Sequence, residues 1–148
     1  MEWILVHENK QAIPKILNQI KLSGAGYDIL RYVCLPDLLG EDTEKILYVM
    51  GKNLARSFQL NRIEDIVQFF QQRGWGNLTL IQEKKSELIF ELEGEPIIQR
   101  LDTNIEHDYR LESGFLAEAI HQLKDAPCEC IETIKNRKKC IQLHAIFS

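Results

Sequence analysis

The stretch that decides the fold is Gly74-Trp75-Gly76-Asn77-Leu78-Thr79-Leu80-Ile81-Gln82-Glu83-Lys84-Lys85-Ser86-Glu87-Leu88-Ile89-Phe90-Glu91-Leu92-Glu93. Before Gly74 the apolar residues recur at near four; after it they recur at two. Leu78 and Leu80, then Leu88, Phe90 and Leu92, alternate with Thr79, Glu87, Ile89, Glu91 and Glu93 across a Lys84-Lys85-Ser86 turn. That pattern predicts an antiparallel hairpin with one face in water, because successive strand side chains point to opposite faces. Trp75 stands just before it, where a ring usually closes a core edge and sometimes lines an interface; Trp3 is read the same way.

Upstream the chain reads as helices. Ile16, Leu17 and Ile20 predict one over Pro14 to Leu22, stopped by Ser23-Gly24-Ala25-Gly26, since glycine costs about 1 kcal/mol inside a helix. Tyr27 to Val33 is a second, with Ile29, Leu30 and Val33 on one side and Pro36 unsuited to a helix interior. A third starts at an Asp42 or Thr43 cap and turns Ile46, Leu47, Met50, Leu54 and Phe58 to the core. Asn61 and Glu64 form a capping-box-like start for a fourth, whose stripe is Ile63, Ile66, Val67 and Phe70. Downstream, Gly94 to Tyr109 has no clear period and is expected to be a connecting loop with a short strand at Ile97 to Leu101. Leu111, Phe115, Leu116, Ala119, Ile120 and Leu123 predict a helix to Lys124. Cys128 to Ile134 and Cys140 to Phe147 complete a second hairpin. The order helices, hairpin, helix, hairpin predicts an α+β fold, a layer of helices packed on one face of an antiparallel sheet.

Composition bounds the function classes. At 148 residues the chain is one domain that can bury a core without disulfides or metal. Hydrophobic residues at 45% and charged residues at 27% are globular proportions, so disorder is excluded as a global state. A net charge of −4 argues against nucleic acid as a partner. Met1 to Glu8 lacks the basic start and the roughly 7 to 15 apolar residues of an export signal, and no apolar run approaches the roughly 20 of a membrane helix. The expectation is a cytoplasmic protein without a transmembrane segment, its four cysteines free thiols.

Three blocks carry a resemblance: Ile46-Leu47-Tyr48-Val49-Met50-Gly51-Lys52-Asn53-Leu54-Ala55, Phe69-Phe70 leading to Gly74-Trp75-Gly76-Asn77-Leu78-Thr79-Leu80, and Glu112-Ser113-Gly114-Phe115-Leu116-Ala117. They resemble the four-vinyl-reductase-like domains, which group with the small subunits of the transport protein particle (TRAPP) and the haem nitric-oxide-binding domains in one ligand-binding superfamily. Within it the chain looks most like the YslB-type uncharacterised proteins of Gram-positive bacteria. The resemblance runs over 27–147, leaving 1–23 as an N-terminal extension and helix, and implies a TRAPP-subunit-like fold and a ligand-binding role. Haem is disfavoured, because His107-Asp108-Tyr109-Arg110 has neither the order nor the spacing of the haem-binding motif. Cys130 and Cys140 lack the glycine turn that separates paired cysteines in many relatives, and Cys34 does not align with the acylated cysteine of TRAPP subunits.

Two uses of the helix-to-sheet space follow. As an apolar pocket it would be lined by Leu47, Met50, Gly51, Phe70, Trp75, Phe115 and Ala119, which predicts a non-catalytic sensor-like domain for a hydrophobic small molecule or lipid. Closed, the same space would leave a protein-interaction or scaffold module that exposes Tyr27 to Leu39 to a second copy, as a homodimer, or to another protein. Gly51 and Gly114 fit either helix packing or a ligand wall. No nucleophile elbow, P-loop, dinucleotide fingerprint or zinc-protease motif is present, so the chain is not read as an enzyme. Glu91, Glu93 and Glu95 read as a solvated strand face. A turn at Asn136-Arg137-Lys138 would place Cys130 opposite His144, with Cys128 on the same face. Thiolate and imidazole suit zinc, yet a fourth ligand is not evident, so sheet packing is favoured and no metal or other cofactor is expected.

Overall fold

A computed structural model of the chain describes residues 24–103 and 105–148. The helix expected over Pro14 to Leu22, and Trp3, lie outside them. Both hairpins form: β1 (Asn77–Glu83) with β2 (Glu87–Glu93), and β3 (Cys128–Lys135) with β4 (Cys140–Phe147). β2 pairs antiparallel with β4, giving one sheet in the order β1-β2-β4-β3. Leu88, Phe90, Leu92, Ile141, Leu143 and Ala145 are fully buried on the helix-covered face. Ile89, Glu91, Gln142 and His144 occupy the opposite one, as strand alternation requires.

The helices are α1 (Gly24–Ile29), α2 (Leu35–Leu39), α3 (Thr43–Ala55), α4 (Ile63–Gln72), α5 (Glu95–Asp102) and α6 (Arg110–Lys124). The glycines expected to stop a helix instead lie in one: Gly24 and Gly26 belong to α1. α1 runs into α2 through a π turn, Leu30–Cys34, where the Leu35 N–H donates to the Leu30 carbonyl five residues back. That widened turn precedes Pro36, which has no N–H to donate, and so lets a proline sit within a helical run. On α3 the buried residues are Thr43, Leu47, Gly51 and Ala55, at a strict spacing of four. Ile46 and Met50 therefore fall on the flank and stay exposed, against the expectation that both face the core. The carboxylate that caps α4 is Asp65, not Glu64: it accepts from the N–H groups of Asn61 and Arg62 at 3.0 and 3.1 Å.

The expected loop and strand over Gly94 to Tyr109 is corrected by α5. Gly94 at φ +137° turns the chain out of β2, Pro96 fits the first helical turn, and Ile97 and Arg100 are buried. Glu95 consequently belongs to α5, leaving Glu91 and Glu93 on the strand.

α6 is the central element. It lies against α3 on one side and β3 on the other, so every residue from Glu112 to Ile120 is buried, not one stripe alone. The α3 contact is backbone to backbone. A Cβ on Gly51 would meet the Leu111 carbonyl and stand 2.7 Å from the Phe115 nitrogen; one on Gly114 would meet the Tyr48 carbonyl. Helix packing therefore accounts for both glycines.

Candidate functional site

The N-terminal end of α6 carries a carboxylate into the interior. Glu112 is 1% exposed, and Arg31, arriving from the π turn, is 2% exposed. The two pair through both carboxylate oxygens, each 2.7 Å from a guanidinium nitrogen. Arg31 also donates to the Tyr27 hydroxyl at 2.7 Å and to Asp108 Oδ1 at 3.2 Å. Beside it Arg100 of α5 donates to both oxygens of Asp28, at 3.0 and 2.9 Å, and to the Tyr109 hydroxyl at 3.4 Å. Both guanidinium groups stand about 5 Å from the centre of the Tyr32 ring, a cation–π arrangement. His107 Nδ1 lies 3.0 Å from the Tyr109 hydroxyl.

Burial alone would pull the Arg31 guanidinium down, but Glu112 more than offsets it and keeps the charge in place. Arg100 is likewise opposed by burial and held up by Asp28. Burial pushes the Tyr109 hydroxyl up to about 12 and raises those of Tyr27 and Tyr32, so all three stay neutral hydroxyls. His107 is held below the ordinary histidine value, by burial first and then by the Arg100 charge. It is a neutral ring at physiological pH.

A cleft of about 600 Å³ opens beside this cluster, lined by Tyr32, Pro36, Thr43, Glu44, His107 and Asp108 together with Gly40, Glu41 and Glu106. Tyr32, His107 and Asp108 belong to both, so the buried ion pairs fix part of the cleft wall. The lining includes four carboxylates and no cation.

The seven apolar residues proposed from sequence divide. Phe70, Phe115 and Ala119 are fully buried, with Leu47 and Trp75 close behind, and Gly51 sits at the α3–α6 contact. Met50 is 47% exposed and faces away from them. The rings pack directly on one another: Phe70 and Trp75 at 5.0 Å, Trp75 and Phe115 at 5.5 Å, Phe69 and Phe115 stacked at 4.2 Å. Side chains occupy that space.

Cys128, Cys130 and His144 do not converge. The turn holds four residues, with Lys139 at φ +52°, and pairs Lys135 with Cys140. Cys130 is therefore opposite Ala145, and His144 faces the other side of the sheet, where its Nε2 is 3.4 Å from Glu87. A slip of one residue exchanges faces. Among the described residues no three His, Cys, Asp or Glu side chains gather as metal ligands do. Burial pushes the Cys128 thiol up to about 11, helped by Glu129, and raises Cys130 as well. Both are protonated and poor nucleophiles.

Periodicity and motif spacing do not single out Arg31, Arg100 or Asp28, and Glu112 and the His107 to Arg110 string stand out only as motif fragments. The available signal was Arg31 among the apolar residues of its helix, four residues after Tyr27 and thus on the same side.

The family described as protein of unknown function (DUF2507) matches residues 24–145. Uncharacterized protein YslB of Bacillus subtilis (strain 168) is 42% identical over 121 residues, covering 82% of each chain. Among solved structures, a vinyl-4-reductase family protein from Methanocaldococcus jannaschii superposes with a TM-score of 0.67 at 16% identity, over 93% of this chain and 95% of that one. The phenol-responsive sensory domain of the transcription activator PoxR, with phenol, superposes at 0.63 and 14% identity, over 87% of this chain and 76% of that one. A trafficking protein particle complex subunit 3 from Naegleria fowleri, covalently bound to palmitic acid, aligns at 0.43 and 12% identity over 96% of each.

Proposed function

From a chain that belongs to the DUF2507 family and carries its own buried polar cluster, we propose a non-catalytic, sensor-like domain whose small-molecule ligand occupies the cleft beside Arg31 and Glu112. The observation that carries this is the cleft with its pre-set wall. Its volume of about 600 Å³ is that of an ordinary small-molecule site. Tyr32 and Asp108 are held by the Arg31 and Arg100 charges before any ligand arrives, which lowers the cost of ordering the site on binding. Carboxylates without cations in the lining favour a neutral or cationic molecule over an anion. A phenol-responsive sensory domain shares the fold, so ligand sensing is a use this architecture serves.

A ligand seated among Leu47, Gly51, Phe70, Trp75, Phe115 and Ala119 would first have to part rings 5.0 to 5.9 Å apart. An amide NMR titration separates the two places. With phenol and other neutral hydroxylated aromatics, shifts are expected at Tyr32, Thr43, Glu44 and residues 106–108. Shifts centred on Trp75 and Phe115 would move the site to the apolar core, and no shifts at millimolar ligand would refute the reading.

One observation favours a second reading, a dimeric interaction module. Ile29, Leu30, Val33 and Leu38, all more than half exposed, share the α1–α2 run, and Val49 is likewise exposed on α3. Apolar patches of this kind mark interfaces. Sedimentation should then show a dimer that Leu30→Glu with Val33→Glu converts to monomer; a wild-type monomer across micromolar concentrations would contradict it.

A further inference from the structure

The sheet face turned away from the helices carries a second concavity, of about 520 Å³, unrelated to the cleft. Its floor is Ile89 and Glu91 of β2 with Gln142 of β4, the two central strands. One wall is Ile81 and Gln82, where the β1 bulge breaks the pairing register between Leu80 and Gln82. The other is the end of β3 and the turn after it, from Ile134 to Lys138. Ile81 is 49% exposed, and Ile131 and Ile146 are 60% and 42% exposed elsewhere on the sheet. An apolar strip on a sheet face that no described element covers is an interface feature.

Charge says what would cover it. The chain is acidic overall, at −4, yet residues 135–139 read Lys-Asn-Arg-Lys-Lys. Lys138 is 3.8 Å from Glu91 and Lys139 is 3.2 Å from Asp102. Lys135 and Arg137, which line the groove, have no ion pair or hydrogen bond among the described residues. The lining thus has three cations to one carboxylate, Glu91, with isoleucine between. A second copy docked face to face would bring the same cations together, so this face does not complement itself.

We propose that the groove docks an acidic peptide segment of another protein, its apolar side chains resting on Ile81 and Ile89 and its carboxylates reaching Lys135 and Arg137. The isoleucines supply burial and the turn supplies direction, so both parts are needed.

Fluorescence polarisation with the full chain tests this, using a labelled peptide of alternating leucine and glutamate. A serine–glutamate peptide of equal charge and vesicles of phosphatidylcholine with phosphatidylglycerol serve as competitors. The leucine–glutamate peptide should bind, weaken about tenfold or more with Lys135→Glu plus Arg137→Glu, and weaken as salt rises. Ile81→Asn, at an exposed position, should also weaken it, while circular dichroism shows each variant folded. Equal binding of the serine–glutamate peptide, indifference to the charge reversal, competition by vesicles alone, or no binding would each overturn the proposal.

Discussion

Around Phe115 the central helix α6 meets four aromatic rings, those of Phe58, Phe69, Phe70 and Trp75; three residues earlier, at Glu112, it meets a buried guanidinium. The same helix is thus packed by dispersion at one point and by ionic hydrogen bonds one turn away. The two regions should fail differently. An apolar cluster loses stability in proportion to the contacts removed, whereas a buried ion pair depends on each partner for the solvation of the other.

The largest effect tests that contrast. Glu112→Ala leaves the Arg31 charge buried with only partial compensation from Asp108, and should cost about 3 to 5 kcal/mol in urea unfolding. Replacing both partners, Arg31→Met with Glu112→Leu, should restore most of the loss, because an apolar pair of similar volume needs no solvation. In the aromatic cluster the order reverses: Phe115→Ala with Phe70→Ala should be worse than either alone. A double Arg31/Glu112 variant as unstable as Glu112→Ala would show that the regions do not differ in kind.

Next in size is the α3–α6 contact. Gly114→Ala sets a methyl against the Tyr48 carbonyl and must push the helices apart, at a cost of about 1 to 3 kcal/mol, read as a fall in Tm. An unchanged Tm would mean that α3 can shift freely and that the backbone contact is not needed.

The apolar end was legible because its signal is periodic. Leu88, Phe90 and Leu92 announce a strand face, and Phe115 to Ile120 a buried helix, from spacing alone. The polar end has no period. Arg31, Arg100 and Glu112 are brought together from separate helices, and nothing local to any one of them names its partner. Two smaller misreadings have equally physical causes. The turn after β3 holds one more residue than its Asn136-Arg137-Lys138 centre suggests, with Lys139 in the left-handed region, and that exchanged the face of His144. α5 was hidden because its eight residues are too few for the helical period to stand out, although Pro96 and the pair Ile97 and Leu101 were its signature.

The smallest effect is a pH dependence confined to the polar end. His107 titrates below its unfolded value of about 6.5, so between the two values the unfolded chain binds more protons than the native one. Stability should therefore fall as pH drops from about 6.5 toward the lowered native value, and level off below it. His107→Gln should flatten that segment of the profile in urea melts, while Phe115→Ala, whose ring packs on Phe58, Phe69, Phe70 and Trp75, should shift the whole curve down without changing its shape. A wild-type profile with no slope in that window would remove His107 from the cluster's energetics.

The most direct test of ligand binding at the polar end is a thermal melt of wild type and Glu44→Trp across a concentration series of neutral hydroxylated aromatics, beginning with phenol. Glu44 is an exposed residue in the cleft lining with no role in the buried ion pairs, so a tryptophan there fills the cleft and spares the cluster. A ligand that binds only the native state raises Tm steadily with its concentration. Wild type should show that rise and Glu44→Trp should not; a flat wild-type series, or an equal rise in both proteins, would contradict the assignment.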